Sequence, residues 1–285
     1  MGSAIAARLA GLGHEVAVWN RTAAKARALG LPVGDSPQAL VSGSEAVITL
    51  LTDAAAVDTV YARLLSGNAK GRLFIDMSTV RPEVSRRIFS LTRGKSASFV
   101  ECPVGGSVGP AREGKLFGFA GGEVRDVERA RPLLGQMCRR VEHVGPAGAG
   151  AAMKLAVNLP LLVYWQALGE ALSLVQPLNL EPARVMDILA DTSGAPAMLK
   201  PRAATIAAAL AGSEPAAVSV DIDTMSKDLR EMVAEARSLG ARLPVTERAL
   251  ACFEEISASG LGAKDCSFLP AAWLRTLSKS RPARD

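Results

Sequence analysis

One lysine on a long apolar segment is the residue of this sequence best suited to proton transfer. Lys154 lies within residues 151–175, which are apolar on nearly every side and therefore predict a buried helix. A charged lysine is costly to bury, so a buried amine releases its proton more readily than an exposed one. Asn158 follows one helical turn later on the same side. Lys154 is therefore a candidate for a group that exchanges a proton near neutral pH. The alternative is a lysine whose amine reaches solvent at the helix start.

A glycine-rich loop is the second candidate site. Residues 101–107 read Glu-Cys-Pro-Val-Gly-Gly-Ser and include Gly105, Gly106 and Ser107. Without Cβ atoms, such a loop lets backbone N–H groups approach an anion closely. We therefore expect it to bind the acidic group of a substrate, with an ordinary tight loop as the alternative.

The start of the chain has features of a dinucleotide site. Met1 and Gly2 open a predicted helix, whose free N–H groups and positive dipole end suit a pyrophosphate. The strand predicted next, residues 15–19, leads into Asn20, Arg21 and Thr22, where a site for NAD usually has an acidic residue. Arginine pairs with a phosphate instead, which favours NADP, with NAD as the second choice. The alternative is a solvated turn with Thr22 as the cap of a short helix.

Alternating elements must position these residues. Short β-branched strands between helices predict a parallel, doubly wound Rossmann-type sheet. Such a sheet normally opens with a strand and a glycine-rich turn, so we expect the first strand and two turn glycines to precede Met1. Helices are predicted over residues 1–12, 22–29, 54–65 and 82–92, and strands over residues 15–19, 46–51, 73–77, 98–102 and 116–121.

The second half of the chain is predicted to be all-α. Pro160 is expected to kink the first of its helices or to disturb it locally. We predict a cofactor-binding domain over residues 1–148, an all-α substrate and dimerisation domain over 149–277, and a disordered tail over 278–285. The long helix would connect the two domains, with the substrate cleft beside it. Helices are predicted over residues 151–175, 182–189, 197–210, 224–239, 243–258 and 265–276.

The composition argues against several classes of function. The net charge of +5 is spread thinly and lacks interleaved aromatic residues, so nucleic-acid binding is not expected. Four cysteines without a CxxC pair and two histidines predict no metal site, and the cysteines should be reduced and mostly buried. Residues 1–10 do not match a signal peptide, and the apolar stretch 159–168 is too short and interrupted to span a membrane. We expect a cytoplasmic enzyme.

Five segments together resemble the β-hydroxyacid dehydrogenase family, which includes 3-hydroxyisobutyrate dehydrogenases, tartronate semialdehyde reductases and 6-phosphogluconate dehydrogenases. Each motif is weak alone, but their order and spacing extend the resemblance over nearly the whole chain. The segments are Met1-Gly2 through Asn20-Arg21-Thr22, Asp76-Met77-Ser78-Thr79, residues 101–107 with Gly114-Lys115-Leu116, Gly145, Gly148 and Gly150 with Lys154 and Asn158, and the weaker Lys227-Asp228-Leu229.

The resemblance implies an NAD(P)-dependent oxidoreductase that interconverts a short β-hydroxy acid and its semialdehyde or keto acid. In this family pattern Lys154 is the general acid/base and Asn158 orients the substrate. A small anionic substrate and a homodimer or homotetramer are expected. The implied cofactor contacts are Leu51 and Thr52 beside the cofactor, Thr79 near the nicotinamide ribose, and Lys227 from the helical domain.

The sequence departs from the family pattern at the substrate loop. The usual Asp-Ala-Pro-Val-Ser-Gly-Gly has a serine that holds the substrate carboxylate, and Gly105 stands in its place. Either Ser107 replaces that serine, or backbone N–H groups and Lys115 bind the carboxylate. An imine reductase and an inactive cofactor-binding scaffold are the alternative functions. Lys154 counts against the first, because related imine reductases tend to replace this lysine.

Overall fold

The computed structural model describes residues 1–213 and 218–279, which divide into two compact units, Met1–Ala156 and Val157–Asp285. The first unit contains a sheet with helices and the second is helical. The predicted division between residues 148 and 149 stays a prediction. Of the predicted tail, residues 278 and 279 belong to the last helix, whereas residues 280–285 lie outside the described residues.

Six strands form one mixed sheet in the first unit. The strands β1 to β3 are parallel, and β5 pairs antiparallel with β3 and β4 but parallel with β6. The expectation of an all-parallel sheet is therefore wrong at β5. A short connection can join antiparallel neighbours, whereas parallel neighbours need a long crossover. The strands are β1 (Ala46–Thr49), β2 (Leu73–Asp76), β3 (Ser98–Glu101), β4 (Val104–Gly105), β5 (Leu116–Gly122) and β6 (Cys138–Gly145).

Helices cover both faces of this sheet, which confirms the doubly wound arrangement. Ile75 of β2 packs in one apolar core with Leu9 and Leu134, while its neighbour Phe74 packs in a second core with Tyr61 and others. Successive side chains of a strand point to opposite faces, so an apolar strand fills both cores. The helices are α1 (Gly2–Gly11), α2 (Ala23–Arg27), α3 (Pro37–Gly43), α4 (Ala54–Leu64), α5 (Pro82–Gly94), α6 (Val108–Glu113) and α7 (Val124–Met137).

The strand predicted over residues 15–19 does not form. Only Val18 is paired, in an isolated parallel bridge with Val33. A strand needs ladder partners along its length, and the described residues provide none for the rest of this segment. The helix predicted after it is also shorter, and Thr22 occupies its N-cap position without a side-chain capping bond.

Five elements of the first unit were not predicted: α3, α6, α7, β4 and β6. The signal for α7 was present, since Val127, Ala130, Leu134 and Met137 are buried and recur at helical spacing. The two residues of β4 carry no such pattern. These two residues pair with β5 because the chain returns antiparallel beside them, and this could be seen only in the folded chain.

Helix α8 (Ala149–Val175) is 27 residues long and carries Lys154 near its start. It continues through Pro160, where an irregularity was expected. With the turn that follows, this helix is long and apolar enough to cross a membrane by length and composition alone. The prediction concerned the shorter stretch 159–168, which contains Pro160 and Gln166. A single such helix is weak evidence, because core helices of proteins without a membrane segment pass the same test.

The described residues of the second unit form five further α-helices after α8. A buried aspartate, Asp265, fixes the entry to the last of them by accepting hydrogen bonds from the Ser219 and Ser267 backbone N–H groups at 2.6 and 2.9 Å. Burial alone would raise the pKa of Asp265, but these bonds and the two serine hydroxyls bring it down to about 2. The helices are α9 (Pro182–Ala190), α10 (Leu199–Leu210), α11 (Ile222–Ser238), α12 (Pro244–Ile256) and α13 (Leu269–Lys279).

Replacement of Gly150 by alanine should destabilise the protein. A Cβ at Gly150 would overlap the Phe119 carbonyl oxygen, so the start of α8 would have to shift. We expect the free energy of unfolding, measured by urea denaturation, to fall by about 1–3 kcal/mol. Gly135→Ala is the matched control. That glycine is exposed inside α7 with no atom near its Cβ position, and alanine should add about 0.5–1 kcal/mol. Equal stabilities of the two variants would contradict the close packing at Gly150.

Candidate active site

Half of the predicted site residues of the first unit follow the carboxyl ends of three parallel strands. Leu51 and Thr52 follow β1, Thr79 follows β2, and the loop to Ser107 follows β3. The start of α1 lies at the same edge, because a Cβ on Gly2 would come within 4.0 Å of Leu50 Cβ. Ligands of open α/β sheets bind at this edge, outside the carboxyl ends of the strands.

A buried polar network ties the ends of β1 and β2 together. Asp76 accepts hydrogen bonds from the hydroxyls of Thr49 and Ser78, both at 2.7 Å. The Ser78 hydroxyl in turn accepts from the Leu51 backbone N–H at 2.9 Å. Thr49 also contacts the Tyr61 hydroxyl at 3.0 Å. The network therefore fixes the backbone of Leu51 relative to the turn that contains Thr79.

Burial sets the protonation of this network. It raises the pKa of Asp76, an effect that the bonds from Ser78 and Thr49 offset only in part. Burial and the Asp76 carboxyl together raise the pKa of Tyr61 well above 10, so its hydroxyl stays protonated at neutral pH. Asp76 and Ser78 belong to one of the motifs of the family resemblance, but no role was predicted for them from the sequence. A polar pair directly after an apolar strand was the available signal.

The first helix presents an uncapped positive end. Met1 occupies its N-cap position without a side-chain capping bond, and the first turn carries no acidic residue. Backbone N–H groups of a helix start with a positive dipole end suit an anion such as a pyrophosphate. The structure thus places Met1 and Gly2 at the edge of the sheet with the properties expected of a phosphate site.

The turn that was expected to select the cofactor is exposed. The Asn20 side-chain oxygen accepts the Thr22 backbone N–H at 2.8 Å, which closes a local turn. Arg21, between them, is exposed to solvent. The asparagine is thus engaged in shaping the turn, and the arginine supplies the positive charge of this segment.

The glycine-rich loop after β3 contains extended backbone at Gly105 and a positive φ at Gly106. Gly105 pairs with Phe117 in the sheet, and Gly106 has φ +126° with room for little beyond hydrogen, since a Cβ would lie 2.8 Å from Leu116 Cδ2. Ser107 is the N-cap residue of α6, and its side chain makes no capping bond there. Lys115 is exposed and forms an ion pair with Glu113 at 2.7 Å. Ser107 is therefore a better candidate than Lys115 for the missing family serine.

Lys154 is buried, with 7% of its surface exposed, although it carries an amine. It lies on α8 one turn before Asn158. In the second unit, Asp228 brings Asn158 and Lys227 together: its carboxylate lies 3.5 Å from the Asn158 amide nitrogen and 2.7 Å from the Lys227 amine. The sequence analysis gave Asp228 no role, although it stands next to Lys227 in the motif.

A second carboxylate that the sequence analysis left without a role lies at the start of α8. Glu101, the last residue of β3, is 1% exposed, and its Oε1 accepts hydrogen bonds from the N–H groups of Gly148, Gly150 and Ala151 at 2.7, 2.8 and 3.3 Å. Burial raises the pKa of Glu101, while a bond from Ser85 and these amides act in the opposite direction. An acidic residue between an apolar strand and the substrate loop was the signal in the sequence.

The cysteines match the prediction of buried, unbonded thiols. All four are free and buried. Burial, with smaller contributions from Cys138 and Glu101, raises the pKa of Cys102 well above 9, so this thiol beside the substrate loop is not an activated nucleophile. Among the described residues, no group of three or more histidine, cysteine or acidic side chains could hold a metal ion.

Family models match both halves of the chain. Residues 1–145 match the NAD binding domain of 6-phosphogluconate dehydrogenase, and residues 148–272 match the NAD-binding domain of NADP-dependent 3-hydroxyisobutyrate dehydrogenase. Together with the Rossmann-type sheet, these matches show that the protein is an NAD(P)-binding oxidoreductase.

Individual relatives identify the family within this class of oxidoreductases. Glyoxylate/succinic semialdehyde reductase 1 of Arabidopsis thaliana is 32% identical over 94% of this chain and 93% of its own length. The 3-hydroxyisobutyrate dehydrogenase of Pseudomonas aeruginosa is 32% identical over 86% of this chain and 85% of its own. A solved structure of the Mycobacterium tuberculosis 3-hydroxyisobutyrate dehydrogenase with L-serine is 28% identical, with a TM-score of 0.80 over 97% of this chain and 95% of that one. This chain belongs to the β-hydroxyacid dehydrogenase family, the NAD(P)-dependent oxidoreductases that act on CH–OH groups of small hydroxy acids.

Ser78→Ala should weaken cofactor binding. The variant removes the acceptor of the Leu51 N–H and a donor to Asp76, so the turn after β1 loses its fixed position. We expect the dissociation constant for NADPH, measured by fluorescence titration, to rise roughly tenfold, the equivalent of one buried hydrogen bond of about 1.4 kcal/mol. Ser90→Ala is the control, because that exposed hydroxyl bonds only to the Arg86 carbonyl of its own helix. Unchanged NADPH affinity in Ser78→Ala would rule out a role of this network in the cofactor site.

Proposed function

We propose that this enzyme interconverts a short β-hydroxy acid with its semialdehyde or keto acid, using NADP and with Lys154 as general acid/base. The observation that carries the proposal is the buried amine of Lys154, with 7% of the residue exposed, on the first turns of a long apolar helix. When bound, the nicotinamide accepts or donates the hydride. In oxidation, the neutral Lys154 amine takes the hydroxyl proton as the C–H hydride leaves, and in reduction the ammonium returns a proton to the new alkoxide oxygen.

The carboxyl edge of the sheet supports the cofactor assignment. The uncapped start of α1 at Met1 and Gly2 would hold the pyrophosphate, and Leu51, Thr52 and Thr79 lie on the turns that flank it. Arg21 would pair with the 2′-phosphate of NADP, since the Asn20 side chain is engaged with Thr22. Lys227 stays a cofactor contact predicted from the sequence pattern.

The substrate class follows from the loop after β3 and from the relatives. The names of the relatives specify glyoxylate, succinic semialdehyde and 3-hydroxyisobutyrate, which are all small molecules with a carboxylate group. We assign the carboxylate to Ser107 and to the backbone N–H groups of Gly105 and Gly106, with Asn158 orienting the substrate hydroxyl. Because NADP commonly serves reduction, the semialdehyde or keto acid is the favoured substrate.

Two properties of the chain bear on its assembly and location. Val157 and Leu174 of α8 are 44% and 82% exposed, and such apolar helix surface supports a homodimer or homotetramer. Four free, buried cysteines support a reducing compartment such as the cytoplasm.

Lys154→Ala and Lys154→Arg test the mechanism. Removing the amine should lower kcat by roughly 10²–10⁴-fold, the usual contribution of a general acid/base. Arginine keeps the positive charge but cannot release its proton near neutral pH, so it should be similarly inactive. NADPH affinity should stay within about twofold, as judged by fluorescence titration. Lys95→Ala, which removes an exposed lysine at the end of α5, should leave kcat unchanged.

The assay should use a panel of small semialdehydes, keto acids and hydroxy acids with both cofactors, together with a cyclic imine. A Lys154→Ala variant with nearly normal kcat would remove this lysine from the mechanism. Turnover of the imine alone would favour the imine reductase alternative, and a protein that neither binds NADPH nor turns over any substrate would be the inactive scaffold.

Arg21→Ala tests the choice of cofactor. If the guanidinium pairs with the 2′-phosphate, its loss should raise KM for NADPH by roughly tenfold or more and leave KM for NADH nearly unchanged, since NADH lacks that phosphate. Arg27→Ala, an exposed arginine at the end of α2, is the control. Equal effects of Arg21→Ala on the two cofactors would reject the phosphate role.

A further inference from the structure

The Glu101 side chain extends from a position of the sheet that is paired with a strand on each side. Its backbone pairs with Asp76 of β2 on one side and with Gly121 of β5 on the other. The next residue, Cys102, donates its backbone N–H to the Asp76 carbonyl at 2.6 Å. The origin of the Glu101 carboxylate is therefore fixed by strand pairing on both sides, directly before the substrate loop.

The far end of this side chain is equally confined. One oxygen of Glu101 accepts the N–H groups of Gly148, Gly150 and Ala151, which are among the groups that a helix start leaves without helical partners. A carboxylate at this position also complements the positive dipole end of α8. Three amides on one oxygen define the position of the helix start more tightly than a single capping bond would.

Glycines admit this contact by bringing the backbones together. A Cβ on Gly121 would overlap Glu101 Oε1 and would lie 2.9 Å from the Gly150 backbone nitrogen. A Cβ on Gly150 would overlap the Phe119 carbonyl oxygen. The strand β5, the carboxylate and the first turn of α8 are thus packed in direct contact, and the helix start cannot move toward the sheet.

We infer that Glu101 is a positioning residue of the reaction, whose buried carboxylate holds the first turn of α8 against the sheet and thereby places the Lys154 amine. Lys154 follows Ala151, the last of the bonded amides, by three residues, less than one helical turn. The same side chain ties this turn to the strand from which the substrate loop starts. Glu101 therefore sets the distance between the proposed proton-transfer group and the proposed carboxylate site within the first unit. The inference rests on the proposed function of Lys154.

Glu101→Ala and Glu101→Gln separate this role from a general loss of stability. Alanine leaves three amides without their acceptor, so the amides of Gly148, Gly150 and Ala151 should lose hydrogen-exchange protection. A displacement of about 1 Å at a reacting group can cost roughly a hundredfold in rate, and we expect kcat to fall tenfold to a hundredfold. Because the cofactor contacts proposed at β1 and β2 do not involve Glu101, the NADPH dissociation constant should change by less than about twofold. Glutamine places a carbonyl oxygen where Oε1 accepts, and should restore the amide protection and most of kcat.

Asp126→Ala is the matched control. Asp126 is also a buried carboxylate of the first unit, 3% exposed, but it accepts the hydroxyl of Ser98 at 2.9 Å, at the opposite end of β3. Its loss should lower stability, measured by urea denaturation, without lowering kcat at a temperature where both variants are fully folded. Equal losses of kcat in Glu101→Ala and Asp126→Ala would show a merely structural role and overturn the inference.

Two further outcomes also test the positioning role of Glu101. A Glu101→Ala protein that keeps kcat within twofold, while Lys154→Ala is inactive, would overturn the positioning role and leave the proposed function intact. Loss of kcat in Glu101→Ala that glutamine restores, together with the exchange protection of the three amides, would support it. Failure of the proposed function is seen separately, as an active Lys154→Ala variant.

Discussion

The carboxylate of Glu101, at the end of β3, accepts hydrogen bonds from three backbone N–H groups at the start of the long helix α8. A buried acid is costly unless hydrogen bonds compensate it, and a helix start has free amides that need an acceptor. The Oε1 atom of Glu101 and these amides thus satisfy each other. The contact requires glycine at positions 121 and 150, because a Cβ at either would overlap its neighbours. Placement of Lys154 follows from it, since the lysine lies less than a turn beyond the bonded amides.

A second polar network holds the ends of the neighbouring strands together. Asp76, Ser78 and Thr49 connect the ends of β1 and β2 and fix the Leu51 backbone. Both carboxylates are buried, and in both burial raises the pKa. Two buried acids at the carboxyl edge of this sheet thus accept hydrogen bonds, and the proposed anion sites are the exposed Arg21 and the start of α1, which has no side-chain cap. Such an arrangement suits a binding edge for phosphates and carboxylates.

The mixed sheet accounts for the shape of the proposed substrate loop. Because β5 returns antiparallel beside β3 and β4, the loop that carries Gly105 and Gly106 is held by strand pairing on one side and by Leu116 on the other. Ser107 lies at the end of this constrained segment, with its hydroxyl not used as a cap. This chain therefore retains a hydroxyl near the loop, two residues after the position of the usual family serine.

The strands β1, β2 and β3, the long helix and the burial of Lys154 were predictable from the sequence, because the spacing of apolar residues indicates which faces of an element are buried. The motifs of the sequence also indicated the family. The antiparallel direction of β5, the pairing of residues 15–19 at Val18 alone and the acceptor roles of Glu101 and Asp76 could be seen only in the folded chain. The physical reason is that strand direction and hydrogen-bond partners depend on residues far apart in the chain. Glu101 and Gly148 are 47 residues apart, a distance across which local pattern carries no information.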